Sequence, residues 1–394
     1  MDIRSITLFI PPDFAPSQAS AFLANARHAF PFPVQSLRLA TPPFPDWWDT
    51  NQSPSEFAAR WQVVGFDYLC LGPVLLHHDD HWLNLLPDII GANDILFASA
   101  EIANLNGSIN PQRCFQISHI IDQTSRKMSN GFGNLYFTAI ANCPPGSPFY
   151  PVAYHDDGPA SFAIAVESAD LARRAISSAH SLAEARQNLI HAIETAANKI
   201  STAAASLAEK HNLAYRGIDF SLAPYPTSDK SLAGALEDLG LSTLGTPGSL
   251  FAAALVTEAI AQANFPRCGF SGLMMPVLED NILAQRAASG HVTISDLLNY
   301  SAVCGVGLDT IPLPGDTNPN LLAGILLDVA ALATRLNKPL TARLMPLPGL
   351  QAGDKATFNF PYFADGRVMP VIGTGPTPNG HIATSSKLKL KRYH

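Results

Sequence analysis

The chain has 394 residues, of which 47% are hydrophobic and 14% are charged, and its formal net charge is −7 at pH 7. Typical domains carry about 25% charged residues, so this composition predicts a large apolar interior in which each buried charge is informative. The acidic balance, with one short basic run at 387–392, argues against a nucleic-acid partner.

The cellular location is predicted to be the cytoplasm. The N-terminus has no basic region followed by a long apolar core, as a signal peptide would. The most apolar helical stretch, Leu321 to Leu336, is too short to span a bilayer and carries Asp328 and Arg335, so no membrane partner is expected. The five cysteines are widely spaced and odd in number, which predicts neither a disulfide framework nor a zinc knuckle.

Short apolar runs alternate with helical patterns, which predicts βα units and a parallel sheet. The predicted strands are Ser5–Phe9, Val34–Ala40, Tyr68–Gly72, Leu135–Ala141, Phe162–Glu167, Gly217–Leu222, Leu308–Ile311 and Thr341–Leu344. The predicted helices are Ser17–Phe30, Ser53–Val64, Asn93–Leu105, Pro111–Met128, Ala169–Ala179, Ser181–His211, Ser231–Leu239, Pro247–Asn264 and Asn318–Asn337. No linker divides the chain, so a single domain over residues 1–373 is expected, followed by an irregular tail over 374–394.

The segment that ends at His155 is the first candidate for a site. It contains no Lys, Arg, Asp or Glu between Lys127 and Asp156, and it predicts a strand followed by a proline-rich loop. Ligands in parallel α/β folds bind beyond the carboxyl ends of strands, so His155 is a candidate for proton transfer, with Cys143 a weaker candidate. A rigid structural connection is the alternative.

Three acids in the middle of the chain interrupt apolar segments. Alternation places Asp219 and Ser221 on one face of a strand, which would look into a barrel or cleft unless Asp219 is simply paired with an arginine. Glu279 and Asp280 precede a helix. Glu279 is a candidate ligand or general base, whereas Asp280 is either a ligand or a helix cap, which the helix dipole favours.

The stretch from Cys304 to Asp316 combines a thiol, three glycines and two carboxylates. The Gly-x-Gly sequence after Cys304 predicts a turn that a ligand could approach closely, so Cys304 is a candidate nucleophile or acid/base. Asp309 lies among apolar residues and is expected to be paired, metal-bound or protonated, so it is also a candidate catalytic residue. Asp219, Asp280 and Asp316 are candidate ligands of a divalent cation, although no H-E-x-x-H spacing is present.

Several of these blocks resemble the domain of unknown function 711 family, which is related to the UPF0210 proteins. The resemblance is densest from Leu213 to Arg343 and also includes Arg4-Ser-Ile-Thr and the segment from Asn130 to His155. Its blocks are Asp219-Phe-Ser-Leu-Ala-Pro224, Leu239 to Gly248, Gly272 through Pro276 to Glu279-Asp280, and Cys304 to Asp309 with Asp316-Thr317.

The resemblance implies a fold like that of the pyruvate formate-lyase and ribonucleotide reductase group. That fold is a single ten-stranded α/β barrel with a loop threading its centre. Relatives in the broader group use a cysteine on the central loop as hydrogen abstractor, and the resemblance leaves open whether Cys304 occupies that place. Near the C-terminus, Gly366-Arg367-Val368 has the glycine and Arg-Val in the wrong order for a glycyl-radical loop, so no glycyl radical is expected.

The leading hypothesis is therefore a cytoplasmic enzyme with non-radical lyase, hydrolase or isomerase chemistry on a small polar metabolite. Its pocket is expected to bring the candidate acids together with Cys304 and His155. The alternative is a non-catalytic protein that binds or senses a metabolite or cation. A homo-oligomer is compatible with either, and the sequence identifies no cofactor beyond the candidate divalent cation.

Overall fold

The computed structural model describes residues 1–377 and 379–393 and is mixed α/β, built around one large, mostly parallel sheet. Its strands are β1 (Asp2–Phe9), β2 (Leu37–Ala40), β3 (Tyr68–Val74), β4 (Leu96–Ala103), β5 (Ser108–Ile109), β6 (Phe137–Ala141), β7 (Ser161–Glu167), β8 (Ala214–Ala223), β9 (Gly307–Pro314), β10 (Leu340–Leu347), β11 (Lys355–Ala356), β12 (Gly366–Arg367) and β13 (Leu388–Lys389). Its helices are α1 (Pro16–Ala26), α2 (Pro54–Val64), α3 (Leu86–Gly91), α4 (Pro111–Ser125), α5 (Ala169–Ser177), α6 (Leu182–His211), α7 (Leu232–Glu237), α8 (Ser249–Gln262), α9 (Asn281–Ala288), α10 (Ile294–Val303), α11 (Pro319–Leu336) and α12 (His381–Thr384).

The main sheet consists of a parallel group flanked by two strand pairs of opposite direction. Its order is β8-β7-β1-β2-β3-β4-β6-β10-β9. Strands β1, β2, β3, β4 and β6 run parallel, while β7 is antiparallel to β1 and β10 is antiparallel to β6. The amino ends of the five parallel strands therefore lie at the same edge as the carboxyl ends of β7, β8, β9 and β10.

One irregular segment touches both outer strands of this sheet. Its start bridges β8 through Ile218 and Arg267, and its end bridges β9 through Pro276 and Asp309. In the described part of the chain, regular strand pairing leaves β8 and β9 as the sheet edges, so a closed ten-stranded barrel is not formed by strands alone. The segment from 266 to 278 nevertheless hydrogen-bonds to one edge and to the other.

The eight predicted strands are confirmed, because each overlaps an observed strand. The predicted helix at Asn93–Leu105 is wrong, since β4 (Leu96–Ala103) occupies that stretch and every one of its residues is buried. A strand covered on both faces shows a continuous apolar run instead of alternation, and its alanines and Glu101 favour a helix when only local propensity is considered. The helix expected after Asp280 is α9, whereas α3 and α10, the latter directly before Cys304, were not predicted.

A buried loop crosses the parallel group on its way from β6 to β7. Residues 146–155 are all buried. Thr7 of β1 donates to the carbonyl of Pro148 at 3.4 Å, Cys70 of β3 donates to that of Pro151 at 3.4 Å, and the backbone N–H of His155 donates to the carbonyl of Thr41 at 2.9 Å. The loop is thus fixed by three neighbouring strands.

The sheet also carries buried polar side chains, which is unusual for the interior of an α/β protein. Several strands have two such residues spaced by two positions, so that both lie on one face of the strand. These pairs are Ser5 and Thr7 on β1, Ser99 and Glu101 on β4, Asp219 and Ser221 on β8, and Thr341 and Arg343 on β10. A sheet face of this kind suits a polar enclosed site better than simple packing.

The sequence predicted an apolar stretch too short to span a bilayer at Leu321 to Leu336, but the observed helix α11 begins at Pro319 and is long and apolar enough to cross a membrane if only length and composition are considered. In the structure it packs against α4 and β10 through a buried face and carries Asp328 and Arg335 outside that face. These are the properties of a core helix. Farther along, β13 pairs with β5 in antiparallel register, so part of the region after residue 373 joins the sheet; Pro378 and His394 lie outside the described residues.

Candidate functional site

A cavity opens at the sheet edge formed by the amino ends of the parallel strands. Arg4, Arg38, Tyr68 and Phe97 near the starts of β1 to β4 line one side. Residues near the ends of β7 and β8, with Met274, Glu279 and Arg343, line the other. The cavity and its open mouth together enclose about 840 Å³ of empty space. We expected a site beyond the carboxyl ends of the parallel strands; the buried loop occupies that region instead.

An ion-pair network fixes the charged groups at the back of the cavity. Arg4 contacts Glu279 at 2.5 Å and Glu167 at 3.2 Å. Arg343 contacts Asp309 at 2.5 Å and Glu279 at 3.4 Å. Burial alone would lower the pKa of each arginine, but the neighbouring carboxylates raise it above its ordinary value. Both guanidinium groups are therefore permanently charged, and Glu279 is held between them.

Asp219 is the lining carboxyl without a cationic partner among the described residues. It is 2% exposed. The Ser221 hydroxyl and the backbone N–H groups of Phe270 and Ser271 donate to its oxygens, the latter two at 2.9 and 3.0 Å. Burial raises the pKa of Asp219 above its ordinary value, although these donors oppose the shift. The protonated and ionised forms are thus closer in energy than for an exposed aspartate.

Arg38 has surroundings different from those of the other two arginines. Its Nε donates to the Ser36 hydroxyl at 2.9 Å. Its guanidinium lies over the rings of Tyr150 and Tyr68, at 4.9 and 5.6 Å from their centroids. Burial, together with the like charge of Arg4, lowers the pKa of Arg38 to about 10, so it remains charged at neutral pH.

The structure brings three of the predicted acids together. Asp219 and Glu279 line the cavity. Asp309, which is fully buried, lies directly behind Arg343, and its Oδ2 has no hydrogen-bond partner among the described residues. Asp316 lies apart: it is exposed and accepts from Gln351 at 3.2 Å. Our prediction of one shared site therefore fails for Asp316.

Asp280 acts as a helix cap. Its Oδ1 accepts from the backbone N–H groups of Ile282 and Leu283 at 3.0 Å, at the start of α9. Ser231 at 2.6 Å and the N–H of Ala233 at 3.0 Å donate to the same carboxyl. These four donors connect the carboxylate to the starts of both α7 and α9. Of the two roles that the sequence left open for Asp280, ligand or helix cap, the structure therefore shows the cap.

His155 lies at the opposite ends of the strands from the cavity. Its Nε2 is 3.0 Å from the carbonyl oxygen of Gly158, and burial lowers its pKa. The neighbouring Asp156 is paired with Arg216, whose guanidinium lies over Phe9 at the end of β1. Phe9 follows Arg4 by five positions along the strand, a length of about 17 Å, so His155 is not among the groups that meet in the cavity.

Cys304 is the C-cap residue of α10, is 2% exposed, and does not line the cavity. Burial raises the pKa of its thiol. A Cβ atom placed on Gly272 would lie 2.7 Å from the Cα of Gly305. The glycines after Cys304 therefore allow two backbones to pack closely, rather than opening a turn to a ligand.

We expect alkylating reagents to modify Cys268 first in the native protein. It is partly exposed, whereas the other four cysteines are buried. Burial and the nearby Asp219 raise the pKa of Cys268, so labelling by iodoacetamide should be slow at neutral pH and accelerate as pH rises. Peptide mapping by mass spectrometry checks this, with protein in denaturant as the control in which all five react. Labelling of Cys304 as fast as Cys268 would contradict the structure.

The candidate metal ligands Asp219, Asp280 and Asp316 do not form a cluster. Across residues 1–377 and 379–393, the group whose ligand atoms come within 4.8 Å of one another is Asp46, His77 and His78. The Nδ1 of His78 accepts the backbone N–H of Leu75 at 2.9 Å, which leaves its proton on Nε2, and Nε2 lies 3.0 Å from Asp46. Because His78 is committed to these two hydrogen bonds, it is a poor metal ligand.

Sequence reasoning missed Arg4 and Arg38 as functional candidates. It also did not predict the aromatic wall of the cavity, which consists of Tyr68, Phe97, Tyr136, Phe149, Tyr150, Phe360 and Tyr362. The sequence did contain one feature that could have identified the arginines. In a chain with few charges, Arg4, Arg38 and Arg343 each interrupt an apolar strand. The aromatic residues gave no such signal, because an isolated tyrosine or phenylalanine in a strand usually packs in the core.

The family model and the individual relatives that match this chain indicate the same protein family. The family described as Uncharacterised ACR (DUF711) matches residues 1–359. The UPF0210 protein of Pyrobaculum arsenaticum is 39% identical over 229 residues, which cover 55% of this chain and 50% of that protein. The UPF0210 protein of Methanopyrus kandleri is 30% identical over 310 residues, covering 75% of this chain and 68% of that protein.

The aligned part of this chain spans about half the length of the Pyrobaculum relative. The family match, by contrast, starts at residue 1 and extends through β11. It therefore includes every element that lines the cavity up to Arg343. Since the match covers most of the chain and agrees with the resemblance found in its motifs, the chain belongs to the DUF711 family, whose relatives include the UPF0210 proteins.

Proposed function

We propose that this protein is a cytoplasmic enzyme that acts on a small polar metabolite in the cavity by non-radical lyase, hydrolase or isomerase chemistry. The observation that carries the proposal is Asp219: a buried carboxyl with a raised pKa that faces a cavity together with fixed cations. Perturbed carboxyls of this kind are concentrated at catalytic sites.

Asp219 is the proton-transfer group in this proposal. General acid or base catalysis works best when the pKa of the group is near the working pH, and burial moves Asp219 in that direction. The Ser221 hydroxyl and two backbone N–H groups hold the carboxyl in one orientation. Glu279, held between Arg4 and Arg343, positions their guanidinium groups toward a polar substrate.

The enclosure supports this chemistry. The segment from 266 to 278 contacts β8 and β9 and supplies the donors that hold Asp219. We propose that it completes the wall in place of a regular tenth strand, so that the site behaves as the interior of a barrel. Exclusion of water would strengthen each electrostatic interaction in the cavity.

A non-catalytic binding or sensing protein is the second candidate. It is favoured by one observation: among the described residues, the cavity is lined by neither a cysteine nor a histidine. Ion pairs and aromatic rings bind a ligand without needing a nucleophile.

The two candidates differ in whether a product forms. Purified protein incubated with a metabolite extract should deplete one compound and produce another, measured by mass spectrometry. Asp219→Asn should slow this conversion by at least about a hundredfold, because a positioned acid or base contributes about 10²- to 10⁴-fold. Asp316→Asn is the matched control, since that carboxyl is exposed and outside the cavity.

Retention of a metabolite by the native protein without any product would contradict the enzyme proposal and support binding. Conversion that is unchanged in Asp219→Asn would contradict the assigned role of that residue.

A further inference from the structure

Arg38 is the cation of the cavity wall for which the described residues supply no carboxylate. Arg4 and Arg343 each contact two acids. Arg38 forms no ion pair in residues 1–377 and 379–393, and its hydrogen bond there is the one from Nε to Ser36. A guanidinium has five N–H donors, so four of them, on the two terminal nitrogens, remain for another acceptor.

Two tyrosine rings lie beside this group. Tyr150 and Tyr68 both lie within 6 Å of the guanidinium carbon, and the Tyr150 hydroxyl is already committed to the carbonyl of Leu39. Stacking on rings limits the rotation of a planar guanidinium. The terminal nitrogens are thus presented as a pre-oriented fork, the geometry that binds a carboxylate or phosphate through two parallel hydrogen bonds.

The walls around Arg38 are aromatic. Phe149 and Tyr150 come from the buried loop, and Phe360 and Tyr362 come from the segment between β11 and β12. Aromatic side chains bury large apolar areas and stack on flat partners. The complete set of aromatic lining residues is Tyr68, Phe97, Tyr136, Phe149, Tyr150, Phe360 and Tyr362.

We propose that Arg38 is the receptor for the anionic group of the substrate, and that the substrate is a small organic anion, a carboxylate or phosphate, with a planar unsaturated body. The anion pairs with the guanidinium fork while the planar body stacks against the aromatic wall. This inference rests on the proposed function of the cavity and specifies the class of its substrate.

Four probes separate the parts of this proposal in calorimetric titrations of the full chain. Benzoate carries both a carboxylate and a ring, phenyl phosphate exchanges the anion, acetate lacks the ring, and benzyl alcohol lacks the charge. We expect benzoate or phenyl phosphate to bind at least tenfold more tightly than acetate and benzyl alcohol. The stronger of the two identifies the anion.

Arg38→Gln should weaken binding of the stronger probe by about tenfold to a hundredfold, the usual effect of losing a charged hydrogen-bond partner. Arg60→Gln is the matched control, because Arg60 also lies over an aromatic ring, that of Trp61, but is exposed and outside the cavity. Equal binding by both variants would overturn the assignment of Arg38.

Thermal melting gives a second measurement that needs no ligand. Arg38 is partly buried and has no acid partner among the described residues. Removing its charge relieves its partial desolvation and its repulsion from Arg4, so Arg38→Gln should melt at a higher temperature than the native protein. A lower melting temperature would show that Arg38 has a structural role and overturn the proposal.

The outcomes also separate this inference from the proposed function. Binding of acetate in preference to benzoate would overturn the planar class while leaving an enzyme for a small polar metabolite. Binding of benzoate without turnover of any metabolite would support the receptor and contradict the enzyme.

Discussion

Replacing Arg343 with methionine is expected to lower the free energy of unfolding by about 3–5 kcal/mol, the usual cost of removing one partner from a buried ion pair. The substitution leaves Asp309, which is fully buried, and Glu279, which is 5% exposed, without one of their cations. It also removes the hydrogen bond from Nη1 to the carbonyl of Leu135 at 3.2 Å. Urea denaturation measures the change directly.

Two further variants test whether the loss of stability comes from the buried ion pair. Arg126→Met removes an exposed pair with Asp122 one helical turn away and should cost about 0.5 kcal/mol or less. Asp309→Asn added to Arg343→Met should recover part of the loss, because the buried negative charge is removed as well. If Arg343→Met costs no more than Arg126→Met, the network does not contribute to the stability of the cavity wall.

Gly269→Ala is expected to destabilise the protein by about 2–5 kcal/mol, from backbone strain combined with overpacking. Gly269 has a φ of +61°, and a Cβ atom there would overlap the carboxylate of Asp219. The alanine would therefore displace Asp219 from the donors that hold it. Urea denaturation gives the stability, and the carboxyl chemical shift of Asp219 in an NMR spectrum reports its displacement.

Gly290→Ala is the control for backbone strain alone. Gly290 also has a positive φ, +78°, but a Cβ atom there has open space around it, so the cost should be about 1 kcal/mol. Equal losses at the two positions would mean that Asp219 is not held against residue 269.

The sheet could be predicted from sequence because its strands are apolar runs bounded by glycine and proline. At residues 93–105 a helix was predicted where the structure has a strand, because both faces of β4 are buried and local propensity favours a helix. The direction of the strands could not be derived either. The antiparallel placement of β7 and β10 depends on pairing between distant segments, and this placement brings the ends of β7 and β8 to the cavity.

The candidate site was also predictable only in part, because its buried acids can be recognised in the sequence but its contacts between distant segments cannot. Asp219, Glu279 and Asp309 were found because a buried acid is costly and must have a role. Asp280 has the same pattern but serves as a cap, a difference that depends on where α7 lies. Arg38 was not selected because the role proposed for it depends on two tyrosines that are distant in sequence, Tyr68 and Tyr150, and on the lack of an acid partner among the described residues.

The ion pairs of Glu279 also have a consequence for folding. Arg4 and Glu279 are separated by 275 positions, and Arg343 follows Glu279 by 64. During synthesis, Arg4 and Glu167 are made long before Glu279 and Arg343, so the charged interior is assembled only when the last long strand, β10, has emerged. Contacts of such large sequence separation slow folding, and until they form the early strands expose unpaired edges. We therefore expect nascent chains that end before β10 to depend on chaperones.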